Sequence, residues 1–506
     1  MSESPPLGSH QLRARRLGLE SQTEPLVIMH KNCPVCRSEG FRAKSRVELR
    51  FNDRSVVATL YQIDDGLVAE DQAGLSEAAW KKLLPNEGDV IEAAHPLAIE
   101  SLSAVRAKLY GRRLSADQLA AIVTDIAAER YSDVELAAFI AAYAAQPFDL
   151  LETAALTDAM VSSGKRITWS SCVVADKHCV GGLPGNRTTP IVVAIAAAAG
   201  LTVPKSSSRA ITSPAGTADV METMTEVDLP LNRMKAVVEQ HGGCLAWGGS
   251  LELSPADDII IRVERALDVD CEAQLIASVL SKKVAAGSTH VLLDIPVGPT
   301  AKVRTPEEAD VLAHNLVSVG SKLGLIVRPY ISDGSQPVGR GVGPALEAQD
   351  VLAVLRNAPE APEDLRSKAL ALAAELLNLA ADIDPDEARE KARDLLDSGA
   401  ALKKFMEICE AQGGFTEPPS APFQTVVTAR ESGRVAAIDN RLLARAAKLA
   451  GAPEARSAGL RMRVRLGDAV LAGDPLFTLY GETEGEIDYA LAYIAANADV
   501  IAISAP

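Results

Sequence analysis

Residues 176–189 read Asp-Lys-His-Cys-Val-Gly-Gly-Leu-Pro-Gly-Asn-Arg-Thr-Thr. The run before them, Trp169–Ala175, is apolar and β-branched and predicts a strand. The run after them, Pro190–Ala199, is apolar and alanine-rich and predicts a helix closed by Gly200. A strand, a glycine loop and a helix in that order aim backbone N–H groups and a helix N-terminus at an anion. Lys177 adds a positive charge, and Thr188 and Thr189 add hydroxyl donors. No Gly-Lys-Ser/Thr closes the loop, so it is not a Walker A motif, and it lacks the Gly-x-Gly-x-x-Gly order of a dinucleotide site. It reads as a phosphate cradle of another kind.

Outward from this loop, strand-like runs alternate with helices from Trp169 to about Gly343, an α/β pattern. Upstream, from about 98 to 165, the pattern is helical. Ser115-Ala-Asp-Gln118 and Ser132-Asp-Val-Glu135 fit capping boxes, and Leu119, Ile122, Val123 and Ile126 predict one buried stripe. Ala256–Lys283 reads as helical again and is expected to rejoin that all-α unit, which puts a ligand pocket between two domains. Residues 1–25 read as a loose terminus, and Val47–Ala69 as part of a small β domain. Past the linker at 418–422, short apolar runs with Gly-Asp turns predict a β-rich, half-barrel-like domain with α+β content. The expected fold is therefore multidomain α/β. It has an N-terminal β-rich domain (1–95) and an α domain (96–168 with 256–290). It also has an α/β domain with a central mixed sheet (169–255 with 291–415) and a C-terminal domain (423–506).

The chain has 506 residues, 47% of them hydrophobic, and a net charge of −16, which argues against nonspecific nucleic-acid binding. No apolar stretch is long enough to span a bilayer, and no secretory h-region opens the chain. Seven scattered cysteines do not form a disulfide framework, so a reducing cytoplasm is the expected location. Cys33-Pro-Val-Cys36, with His30 upstream, admits half a zinc site, a redox pair or a structural turn. The turn is preferred, because no second pair follows at zinc-ribbon spacing.

Four segments carry a resemblance. They are Asp176-Lys177-His178 with Gly181-Gly182, Lys205–Thr217, Ser278–Lys283 and Gln336–Gly343. In that order they resemble the thymidine phosphorylase group of pyrimidine-nucleoside phosphorylases. Ser208–Ser213 and Ala256–Arg262 are most similar to its AMP phosphorylase branch, also called type 2, which carries an additional N-terminal domain. The resemblance implies a pentosyltransferase that cleaves an N-glycosidic bond with inorganic phosphate as co-substrate and no other cofactor. It further implies a homodimer or higher homo-oligomer, with no nucleic-acid or membrane partner.

The same resemblance nominates Lys177, Cys179, Thr189, Ser207 and Thr217 for phosphate. For the nucleoside it nominates Gly182, Ser208, Arg209, Ala210, Ile211, Thr212, Ser213, Ser278, Lys282 and Lys302. A lysine, hydroxyls and loop N–H groups suit phosphate oxygens on chemical grounds as well. Two groups compete to protonate the leaving base: Asp270, matching the branch's proton donor, and His178, whose ordinary pKa suits the task. Asp268, two residues away, makes the aspartate assignment open to a slip. Cys179 stands where thymidine-specific members have serine and is not expected to act as a nucleophile. Of Lys282 and Lys283, one is expected to face the pocket and the other solvent. Thymidine-specific members also place a tyrosine and an arginine ahead of the base-gripping helix, at positions matched here to Ile260 and Val263. Losing that clamp, with Arg209 and Thr212-Ser213 near a 5′-phosphate, favours a nucleoside 5′-monophosphate (AMP, CMP or UMP) yielding ribose 1,5-bisphosphate. Thymidine is the alternative substrate. A phosphoribosyltransferase using Asp219 and Glu222 for Mg²⁺ and a non-catalytic scaffold are the distant rivals.

Overall fold

The computed structural model describes residues 7–64, 66–210, 213–267, 269 and 271–504. The chain divides into two compact units, 1–102 with 128–132, and 103–127 with 133–506.

The first unit is built on a closed six-stranded barrel. Its strands run, in spatial order, Gln11–Arg16, Gln72–Leu75, Leu26–His30, Arg54–Ile63, Arg46–Phe51 and Val90–Ala94. The period of two puts Leu12, Ala14, Val27, Met29, Val47 and Leu49 inside, and closure leaves no open edge. Gln11–Arg16 lies in the segment expected to be a loose terminus. Its charged residues hid a strict alternation in which only Leu12 and Ala14 turn inward. Cys33 caps the short helix Pro34–Glu39, its sulfur accepting the Cys36 N–H at 3.1 Å, so the Cys-x-x-Cys pair builds a turn.

In the second unit, Ala116–Ala127 begins with a reciprocal Ser115/Gln118 capping box and buries Leu119, Ile122, Val123 and Ile126. The segment read as helical over Ala256–Lys283 holds two helices, Pro255–Leu267 and Glu272–Ala285. They pack against Ala116–Ala127, Asp133–Ala145 and Leu150–Ser162.

The α/β part holds Ala175–Cys179, His290–Val297 and Ile326–Asp333 in one sheet and Val203–Ser207 beside Gly243–Trp247 in another, bridged at Val174–Thr202. The sheet was expected to be mixed, but these pairings are all parallel. Each return crosses over through a helix, and helix-covered sheets favour parallel strands. The core is the apolar helix Thr188–Ala198 packed against Glu363–Ala381 and Ala400–Gln412.

At the C-terminal end, Phe423–Thr428, Pro475–Gly481 and Gly459–Met462 pair antiparallel. They are joined by Gly341–Val342 from the fourth sequence segment. Among the described residues, no helix is long and apolar enough to cross a membrane.

Candidate active site

The informative run is itself the strand. Ala175–Cys179 pairs with His290–Asp294, whereas Trp169–Val173 lies outside any strand. Alternation along a strand sends Asp176 and His178 one way and Lys177 the other. The chain then turns through Gly181 and Gly182, with φ of 94° and 81°, before helix Thr188–Ala198 begins. A Cβ at Gly182 would lie 2.4 Å from the backbone nitrogen of Lys302, so only glycine allows the Lys302 segment to close on the loop. Gly185 bridges in parallel to Val338, and a Cβ there would lie 2.3 Å from the Val338 oxygen. The fourth segment thus braces the loop from behind, and none of its residues lines the cavity.

A cavity of about 350 Å³ opens at this loop. Of the expected site residues, His178, Cys179, Gly182, Thr189, Ser207, Ser208, Arg209, Ser213, Thr217, Ser278, Lys282 and Lys302 line it. Asp270, Ile211 and Thr212 lie outside the described residues, as does Asp268. Lys177 does not line the cavity. It is fully buried and donates to the Thr188 hydroxyl at 2.7 Å and the Thr189 hydroxyl at 3.4 Å. It therefore stands one hydroxyl behind the surface that a phosphate would touch. Ala210 is also behind the wall, its N–H donating to Asp219 at 2.6 Å.

Sequence reasoning missed Lys205, Lys283, Arg187 and Glu264, which all line the cavity. Lys205 and Lys283 were within the quoted segments, but nothing local showed which way they point. Both reach the fully buried Asp176, each at 2.9 Å. So Lys283 is buried against Asp176 at the cavity wall and does not face solvent, contrary to the expected division between the two adjacent lysines. Burial, opposed by Asp176 but reinforced by Lys205, lowers the Lys283 pKa to about 7.

Lys282 instead pairs with Asp257 at 2.7 Å and Asp258 at 3.1 Å. Burial opposes its charge, yet the two carboxylates hold it above the ordinary lysine range. Asp257, fully buried, also accepts from Ser278 at 2.8 Å and Gln274 at 3.0 Å.

Burial, followed by the charges of Lys283, Lys205, Lys177 and Lys282, holds His178 well below the ordinary histidine range. At neutral pH it is a neutral imidazole, able to donate one N–H hydrogen bond but not to act as a reservoir imidazolium. Burial pushes the Cys179 thiol up to about 11, so it is not a thiolate nucleophile.

Ser207 is 8% exposed, and its hydroxyl oxygen has no hydrogen-bond partner among the described residues. A buried unpaired hydroxyl is costly unless a ligand completes it. Thr217 is held by Arg187 at 2.8 Å, and Arg187 by Glu347 at 2.7 Å.

Arg209, expected at a 5′-phosphate, is already paired with Glu222 at 2.6 and 2.9 Å and lies over the Trp247 ring at 4.8 Å. Asp219 and Glu222, the magnesium ligands of the transferase reading, are thereby committed to Arg209 and to the N–H groups of Ala210 and Gly216.

Residues 171–402 match the glycosyl transferase family a/b domain, 102–164 its helical bundle domain, and 434–500 the pyrimidine nucleoside phosphorylase C-terminal domain. The chain is 56% identical over 489 residues to a "Putative thymidine phosphorylase" of Hahella chejuensis, covering 97% of each chain. It is 55% identical over 495 residues to a protein of the same name from a Polaromonas species, covering 98% of this chain and 97% of that one. Among solved structures, an anthranilate phosphoribosyltransferase of Thermus thermophilus matches with a TM-score of 0.52 at 20% identity. That match covers 61% of this chain and 99% of that one, and it is a likeness of fold.

Proposed function

The chain belongs to the pyrimidine-nucleoside phosphorylase family of pentosyltransferases, and from that premise we propose that its substrate is a nucleoside 5′-monophosphate. Inorganic phosphate would attack the anomeric carbon, giving free base and ribose 1,5-bisphosphate.

The observation that carries phosphorolysis is the orphaned Ser207 hydroxyl in a cavity also lined by Thr189, Thr217, Lys205 and the glycine loop. A phosphate there completes a buried donor and meets backbone N–H groups. Lys177 orients Thr189, and Arg187 orients Thr217, so both hydroxyls are fixed before the ligand arrives. Little covalent work is left to the protein. Holding phosphate and sugar in line and stabilising the departing base supply the rate. Ser278 and Lys282, set by Asp257, would hold the base. His178, neutral, would give a hydrogen bond, which leaves Asp270 as the proton donor.

Seven cationic side chains line the cavity among the described residues, and this lining is what favours the monophosphate, although Arg187, Lys205, Arg209, Lys282 and Lys283 are each already paired with a carboxylate. The ion pairs of Arg209 favour the second reading, a free nucleoside such as thymidine, since they leave that guanidinium largely neutralised. The test is phosphate-dependent base release from AMP, CMP, UMP, thymidine and uridine in parallel. We expect release from the monophosphates that exceeds release from the nucleosides. Turnover of thymidine alone would replace the first reading with the second.

A further inference from the structure

Residues 434–500 match the phosphorylase C-terminal domain, yet none of them lines the cavity among the described residues. The domain reaches the cavity indirectly. Helix Asn440–Leu449 opens with Asn440, which is 1% exposed, and Asp439 caps it by accepting the N–H groups of Arg441 and Leu442. The Asn440 backbone N–H is thus a first-turn donor that no carbonyl of its own helix can take. It donates instead to the Thr300 hydroxyl at 3.0 Å. The Asn440 side-chain amide donates to the Gly334 carbonyl, also at 3.0 Å.

Thr300 and Gly334 lie in two loops that leave one sheet, after strands His290–Val297 and Ile326–Asp333. The loops are pressed together. The Gly334 N–H donates to the Val297 carbonyl at 2.8 Å, and a Cβ at Gly298 would lie 2.4 Å from the Gly334 backbone. Within the first loop, the Gly298 N–H donates to Val303 at 3.1 Å and the Ala301 N–H to Gly298 at 3.0 Å, so a displacement of Thr300 carries its neighbours. Lys302, two residues past Thr300, lines the cavity. Its backbone nitrogen is the atom that closes on Gly182.

We propose that Asn440 is a positioning residue, through which the C-terminal domain fixes loop 298–303 and with it the Lys302 side of the cavity. This rests on the preceding reading only in taking the cavity as the place where substrate binds. One buried residue clamps two loops at their shared edge. Without the clamp, the loop takes up positions in which the Gly182–Lys302 contact opens, and only part of the population binds substrate. Apparent affinity then falls by the competent fraction, whereas turnover of bound substrate does not.

The test uses Thr300→Val, which removes the acceptor in nearly the same shape, and Thr300→Ser, which keeps it. Base release is followed at saturating phosphate with AMP, CMP, UMP, thymidine and uridine. For the best of these, Thr300→Val should raise KM about 2- to 10-fold, the range for one neutral hydrogen bond, and leave kcat within about twofold. Thr300→Ser should restore the wild-type KM. Asn440→Ala, which removes the amide bond to Gly334, should raise KM as Thr300→Val does, and Thr300→Val alone is read if Asn440→Ala does not fold. A melting temperature lowered in Thr300→Val with KM unchanged would mean a role in stability alone and would overturn the proposal. So would a Thr300→Ser enzyme as impaired as Thr300→Val. Hydrogen exchange of the amides at 298–303 and 333–335, read by mass spectrometry without substrate, should be about 2- to 10-fold faster in Thr300→Val than in the wild type or Thr300→Ser. Equal exchange in all three would overturn the latch. A wild type that releases base from none of the five substrates sinks the reading beneath the proposal, and exchange still decides the latch.

Discussion

Two walls of the cavity are each anchored by one fully buried aspartate, and the two anchors are built differently. On the glycine-loop side, Asp176 takes two lysines, Lys205 from the adjacent sheet and Lys283 from helix Glu272–Ala285. On the helical side, Asp257 takes one lysine and two neutral donors, Lys282, Ser278 and Gln274, all on that same helix. Adjacent lysines on one helix point about 100° apart, and here each finds its own aspartate. The first anchor ties distant elements together beneath the glycine loop. The second sets the aim of Ser278 and Lys282, two side chains that line the cavity. The glycine-loop wall is thus shaped largely by backbone and buried charge, which tolerate little change. The helical wall is shaped by side chains that substitution can redirect.

The largest effect should come from the first anchor. Asp176→Asn would leave Lys205 and Lys283, 3% and 2% exposed, without their counter-charge. Stranding buried charge in this way costs about 3–5 kcal/mol, a large share of a typical domain's stability. Urea denaturation should show it as a fall in midpoint, and an unchanged midpoint would mean that Asp176 does not hold these elements together.

The second anchor should give a catalytic effect with little loss of stability. Asp257→Asn keeps the shape but weakens the charged bond to Lys282, which is 22% exposed. Losing a hydrogen bond to a charged group is worth about 1.5–3 kcal/mol, hence about 10- to 100-fold in kcat/KM. The loss should appear mainly as a raised KM for the base-bearing substrate, with KM for phosphate nearly constant. An equal rise in both would erase the contrast between the walls.

The smallest effect is a pH dependence at His178. Its folded pKa lies well below the unfolded value of about 6.5. Below pH 6.5 the unfolded chain binds a proton that the folded chain refuses. Stability present above pH 6.5 is therefore lost as pH falls toward the folded pKa. The slope is at most about 1.4 kcal/mol per pH unit. His178→Gln should remove that component from acid denaturation curves measured between pH 7 and 5, and an unchanged curve would mean that His178 is protonated in the fold.

Much of this site was legible locally. The glycine loop, the following helix and the capping box at Ser115 are short-range signals, read from composition and from spacings of a few residues. The position of the strand was less legible, because Asp-Lys-His is a polar core for a strand. It is stable there only because Lys205, Lys283 and Thr188 arrive from elsewhere to satisfy it. The same gap concealed that Lys177 lies behind Thr189, and that helix Pro255–Leu267 turns residues 261 and 264, not 260 and 263, to the cavity. A helical face is fixed by what it packs against, and a one-residue shift rotates it by about 100°.

By itself, the sequence determined the kinds of element and the chemical inventory: a glycine turn only glycine can make, hydroxyls and lysines suited to phosphate, and segments that resemble one family. Only the tertiary structure decided which charges are neutralised and which line the cavity. It paired Arg209 with Glu222, sank Lys177 behind Thr189, divided Lys282 from Lys283 and brought Glu264 to the cavity. The reason is physical. Backbone conformation answers to neighbours in the chain, whereas the state of a buried charge answers to partners tens to hundreds of residues away, which only folding assembles.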